Sequence, residues 1–139
     1  MADEFYREFE HTGDIGIEVE APTRALLFAR ALTAVARIMV EPDAVNVREH
    51  RTLEVRADDD TDLMHDLLAS AINLLLADGF IWRDAEVEER EGGLLATLSG
   101  EQYDPGRHAL RTELKAVTYH QLSVVEEGPR WRARVIFDV

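Results

Sequence analysis

The chain has no cysteine, and that one absence removes disulfide bonds, thiolate zinc sites and cysteine nucleophiles together. His, Asp and Glu remain as metal ligands, so any metal held here sits in an oxygen-rich site. Positive charge is also scarce, with 15 Lys and Arg against 28 Asp and Glu and a formal charge of −13. Affinity for a phosphate backbone depends on clustered Lys and Arg, so stable direct nucleic-acid binding is not expected. No apolar run approaches ~18 residues, and the opening Met-Ala-Asp-Glu-Phe-Tyr-Arg is acidic where a secretory leader would be basic and then apolar. The expected location is the cytoplasm, with no membrane association. Walker-type GxxxxGK[ST], GxGxxG and nucleophile-elbow sequences are missing too, which leaves independent nucleotide chemistry without visible machinery.

What is present is enough for one globular domain over residues 1–139, since 46% of the residues are apolar and 31% charged. Two segments carry the helical period. From Thr23 to Val40, Phe28, Ala31, Leu32, Val35, Ile38 and Met39 recur at three- and four-residue steps, Thr23 suits an N-cap, and Pro42 stops the run. From Thr61 to Ala77, Leu63, Leu67, Leu68, Ala71, Leu74 and Leu75 do the same, with acidic residues at the start and Gly79 past the end.

Strands are expected where side chains alternate. These are Ile15/Ile17/Val19, Val45/Val47 with Leu53/Val55, Phe80–Glu88, Leu94–Gly100, Val117/Tyr119/Gln121 against Thr118/His120/Leu122, and Trp131–Val139. Turn signals stand at Glu91-Gly92-Gly93, Asp104-Pro105-Gly106 and Glu127-Gly128-Pro129. The order β-α-β-α-β-β-β-β predicts an α+β domain, two amphipathic helices packed on a mixed or antiparallel sheet.

Three places could carry chemistry. In His11-Thr12-Gly13-Asp14-Ile15-Gly16 two glycines flank one carboxylate, so Asp14 serves either an Asx-type turn or a ligand exposed at the start of a strand. His11 reads equally as a satisfied strand-end residue. The final strand finishes in Asp138 and the carboxylate of Val139, which are either solvated or, together with Asp14, converge on a hard divalent cation needing six to eight oxygens. In Lys115-Ala116-Val117-Thr118-Tyr119-His120 both strand faces carry polar groups; His120 could act as a base, or the segment could line an interface. Asp62, His65 and Asp66 share a helical face, but an acidic first turn complementing the helix dipole explains them more simply.

Taken together, the segments resemble the archease family over essentially the whole length. The residues that carry the likeness are Phe9-Glu10-His11-Thr12-Gly13-Asp14-Ile15-Gly16-Ile17, Asp78-Gly79-Phe80-Ile81-Trp82-Arg83-Asp84 and Gly100-Glu101-Gln102-Tyr103-Asp104-Pro105. Further on come Lys115-Ala116-Val117-Thr118-Tyr119-His120 and Arg134-Val135-Ile136-Phe137-Asp138-Val139. The chain departs from the family pattern at Gly13, where Ala is usual, at Val139, where Ile is usual, and in Ala69-Ser70-Ala71-Ile72-Asn73, which lacks an Asn-Glu pair.

The resemblance implies a non-catalytic activator of an RtcB-type RNA ligase in tRNA splicing and RNA repair. Such a factor promotes GTP-dependent guanylylation of the ligase and its repeated turnover. It also implies a divalent cation, Ca²⁺ first and Mg²⁺ or Mn²⁺ as alternatives, held by Asp14, Asp138 and Val139. His11, Lys115 and His120 then stand as residues that support those ligands or touch the partner. A metal-dependent hydrolase of phosphate esters using Asp14, Asp138 and His120, and a general chaperone-like binding module, are the competing readings.

Overall fold

A computed structural model describes residues 5–11 and 13–139, His11 through its main chain only. The elements run β1 (Tyr6–His11), β2 (Asp14–Ala21), α1 (Arg24–Met39), β3 (Glu49–Arg56), α2 (Asp60–Asp78), β4 (Phe80–Arg90), β5 (Gly93–Gln102), β6 (Ala116–Glu127) and β7 (Arg130–Asp138). This is the expected order preceded by one further strand. β1 escaped the alternation argument because it is an edge strand whose sequence, Tyr-Arg-Glu-Phe-Glu-His, is largely charged. Its Phe9 ring lies over Gly16, so a Cβ there would have to push the ring aside.

The strands form two antiparallel sheets, ordered β1-β2-β7-β6 and β3-β5-β4. Each helix touches both: α1 packs on β2 and β4, α2 on β6 and β3. The helices therefore lie between the sheets, which is why α1 buries Leu27, Phe28, Ala31, Leu32, Ala34 and Val35 on several sides and not along a single stripe. Thr23 Oγ1 accepts the Leu26 N–H at 3.2 Å to cap α1, Asp59 accepts the Asp62 N–H at 2.8 Å to cap α2, and Gly79 ends α2 with φ 70°. At the periphery Arg24 ties the helices together, bonding Asp60 at 3.0 and 2.6 Å and Glu89 at 2.5 Å.

Two expectations need correction. Val45 and Val47 are not in a strand: Pro42–Ala44 forms a 3-10 turn, and residues 45–48 lead to β3, which begins at Glu49. The even alternation of Val117, Tyr119 and Gln121 also fails. Thr118 pairs with Ile136 and Ser123 with Arg134, so residues 119–122 form a bulge. Gln121 in that bulge has φ 55°, rare for a residue with a side chain, and its Oε1 accepts Arg134 Nε and Nη2 at 3.2 and 3.1 Å. A smaller bulge in β4 sits between Trp82 and Asp84. There the Trp82 indole donates to Leu32 O at 2.9 Å, and a Cβ on Gly100 would collide with the Ile81 carbonyl.

Candidate functional site

β2 and β7 pair from Ile15–Phe137 through Ile17–Val135 to Ala21–Trp131. The ladder ends at Ile15–Phe137, so Asp14 and Asp138 are the next residues of the two strands at the same end of the sheet. Asp14 is half-buried and Asp138 exposed. The Asp138 carboxylate makes no ion pair or side-chain hydrogen bond among the described residues.

On the other flank Ala116 pairs with Asp138, and the Lys115 N–H donates to Asp138 O at 2.9 Å. Lys115, the chain's only lysine, is exposed beside Val139, itself 43% exposed. The start of β2, the end of β7 and the start of β6 thus meet at one end of the first sheet. Asp14, Asp138 and Val139, the ligands expected from the sequence, thus lie on neighbouring strand ends, and carboxylate and main-chain oxygens are the donors a hard cation takes. Among the described residues no three His, Asp or Glu side chains gather as a metal cluster.

His11 pairs through its main chain with Asp14, closing the β1–β2 turn at Gly13, whose φ is 83°. The His11 side chain and Thr12 lie outside the described residues. His120 stands exposed in the β6 bulge, its N–H on Thr118 Oγ1 at 3.3 Å. Asp62, His65 and Asp66 belong to the α2–β6 contact. Tyr119 donates its hydroxyl to Asp62 at 2.9 Å, and its ring stacks on His65 at 4.0 Å between centroids. Asp62 and the acids around it hold the Tyr119 phenol above its ordinary pKa, first through that hydrogen bond.

The most elaborate polar cluster carried no functional reading in the sequence. Glu101 and His108 are the buried polar residues among those described. Glu101 Oε2 accepts Asn46 N at 2.7 Å and His108 Nε2 at 2.9 Å; Oε1 accepts Arg107 Nη2 at 2.7 Å and Arg48 Nε at 3.1 Å. His108 Nδ1 accepts the Asp104 N–H at 2.8 Å, which assigns the ring proton to Nε2, donating to Glu101. Burial pushes the Glu101 carboxyl up, but the Arg107, Asn46 and His108 donors prevail and hold it at about 2. The only sequence signal was an acid followed six and seven residues later by Arg and His across an Asp-Pro-Gly turn. This cluster anchors residues 103–115, a strap that bonds Gly79 O through Tyr103, Met39 O through Arg111 and Asp138 O through Lys115.

Comparison with known proteins covers the same span. The model of the archease protein family (MTH1598/TM1083) matches residues 6–139. Protein archease of Methanopyrus kandleri is 36% identical over 138 residues, covering 96% of this chain and 99% of that one. Protein archease of Pyrococcus abyssi is 32% identical over 140 residues, covering 96% and 98%. The solution structure of Methanobacterium thermoautotrophicum protein 1598 superposes with a TM-score of 0.76 at 26% identity over 97% of this chain and 99% of that chain. The crystal structure of a Thermotoga maritima archease, titled a possible chaperone, has the same fold at a TM-score of 0.59 and 23% identity, covering 96% of each chain. With residues 6–139 matched by the family model and 96% of the chain covered by relatives above 30% identity, the chain belongs to the archease family.

Proposed function

We propose that this protein is a non-catalytic activator of an RtcB-type RNA ligase in tRNA splicing and RNA repair, and that it holds a divalent cation through Asp14, Asp138 and Val139. Calcium is the first choice, with magnesium or manganese as alternatives. The observation that supports the reading most is the β2–β7 pairing, which brings the strand ends bearing Asp14 and Asp138 to the same end of the sheet, where Val139 and Lys115 also lie. When bound, a divalent cation neutralises the two carboxylates and offers its remaining coordination positions to oxygens of water or partner.

The chain's own residues do the rest. Asp14 and Asp138 supply oxygens from the two strands, and strand pairing brings the two strand ends together. The Lys115 N–H holds the Asp138 carbonyl, while the Lys115 side chain presents a positive charge on the exposed side. A rigid group of this kind, docked on the ligase, favours the ligase conformation in which its histidine reacts with GTP, because it binds that conformation better than the others. His11 and His120 are proposed as partner-facing or ligand-supporting residues of the same end.

The test is single-turnover guanylylation of the ligase from the same organism, with and without this protein, across titrations of Ca²⁺, Mg²⁺ and Mn²⁺. Wild-type protein accelerates the step and Asp14→Ala does not, although its circular dichroism is unchanged. Equal stimulation by Asp14→Ala removes the carboxylate from the mechanism, and no stimulation by wild type refutes the function.

A further inference from the structure

The last residues of a domain ordinarily fray unless something ties them down. In β7 the ladder with β2 ends at Ile15–Phe137, so the main-chain contacts of Asp138 come from its other neighbour. Ala116 pairs with Asp138, and the Lys115 N–H donates to the Asp138 carbonyl at 2.9 Å. That neighbour, β6, is itself an edge strand, and Ala116 is its first residue. Whatever holds Lys115 therefore holds the end of the chain.

The hold comes from the strap of residues 103–115. At its start the Tyr103 N–H donates to Gly79 O at 2.6 Å, and the buried Glu101 takes donors from Arg107 and His108. Midway the Arg111 N–H donates to Met39 O at 2.7 Å, and Leu110 bridges to Val40. At its end stands Leu114, 1% exposed and part of the main core, between Glu113 and Lys115, which are both exposed. Residues 113–115 belong to no helix or strand, so the one buried side chain among them is what fixes the amide that follows it.

Resting on the cation reading above, we infer that the strap is a clamp on the C-terminal end of β7 and that Leu114 is its positioning residue. Buried, Leu114 sets the Lys115 N–H on the Asp138 carbonyl. Asp138 and Val139 are thereby ordered before a hard divalent cation takes their oxygens; Leu114 itself touches no cation. Ordering the main chain of one residue costs a factor of roughly five to thirty in affinity when binding has to supply it. A clamp that orders the strand end beforehand removes that cost from the cation.

Calcium chloride is titrated by calorimetry into metal-free wild type, Leu114→Ala, Leu114→Met and Leu98→Ala. Hydrogen exchange of the Lys115 amide is followed by NMR in the same metal-free proteins. Leu98→Ala makes an equal truncation at a fully buried position of β5, in the other sheet. Wild type binds calcium and protects the Lys115 amide. Leu114→Ala loses the protection and binds calcium about ten-fold more weakly. Leu114→Met, which keeps the volume, recovers most of both, and Leu98→Ala retains both.

Unchanged calcium affinity in Leu114→Ala, or an equal loss in Leu98→Ala, overturns the clamp and leaves the cation reading standing. A Lys115 amide that exchanges freely in wild type also overturns it, a result that needs no variant to fold. Wild type that binds none of Ca²⁺, Mg²⁺ and Mn²⁺ overturns the cation reading and the clamp with it.

Discussion

Replacing Glu101 by Gln should destabilise the protein in a way that depends on pH. The buried carboxylate accepts four hydrogen bonds, two on each oxygen. An amide can offer only one oxygen, so either the Asn46 N–H and His108 or the two arginines must face an NH₂ group. The folded-state pKa of Glu101, about 2 against an ordinary 4.5, sets the size. At 1.36 kcal/mol per pKa unit the gap amounts to about 3 kcal/mol.

The folded value is depressed, so this stabilisation is fully present above the unfolded pKa and fades as pH falls from 4.5 toward 2. Urea unfolding of wild type and variant, compared at about pH 7 and about pH 3, reads the difference directly. The variant should be about 3 kcal/mol less stable at the higher pH, with a melting temperature lower by roughly 10 °C, and the gap should narrow at the lower pH. Comparing the two proteins at each pH cancels the titration of the other carboxylates. Equal stability at neutral pH, or a deficit that does not shrink in acid, refutes the assignment of Glu101 as an ionised, donor-saturated anchor.

Two other outcomes follow. Gly100→Ala places a methyl against the Ile81 carbonyl, which is backbone and cannot turn aside, so the β4 bulge must reopen. Urea unfolding should show a loss of about 3 kcal/mol, and an unchanged midpoint would show that the bulge tolerates the atom. Asp138→Asn keeps the size of the side chain and removes its charge, so calcium affinity by calorimetry should fall about ten-fold or more while calcium-free stability stays level or rises; unaltered affinity excludes Asp138 as a ligand.

Helices were legible because they satisfy a local rule. Thr23, Pro42 and Gly79 mark ends that the structure uses as caps or stops, within a residue or so of the periodic reading, and Asp59 caps the acidic start of α2. Strand content was legible wherever one face is buried, as in Ile17 and Val19 or Val135 and Phe137. It failed where the reason for pairing lies elsewhere. β1 is charged and held by its neighbour, residues 119–122 are displaced by a bulge, and Val45 is buried at 1% exposure without belonging to a strand. The Glu101 cluster was invisible for a similar reason: its donors come from positions 46, 48, 107 and 108, and only the closed chain makes them neighbours. Two sheets with the helices between them, in place of one covered sheet, could not be told from periodicity, because a strand buried on one side reads the same in either arrangement.

That Asp14 and Asp138 come to one end of the sheet depends on a non-local fact, the pairing of residues over a hundred positions apart, yet the core enforces that pairing. β2 and β7 are the two inner strands of their sheet, and their inward pairs, Ile17 with Val135 and Val19 with Ala133, are almost fully buried. A slip of one residue would turn one strand's entire inward set to the opposite face. Exposing Val135 and Phe137 alone would cost about 1.5–3 kcal/mol each. Repulsion between two carboxylates on neighbouring strands near the surface amounts to about 1 kcal/mol, so packing decides the register. In the proposed site the packing of the sheet thus fixes where the two strand ends stand before any cation or positively charged group arrives there.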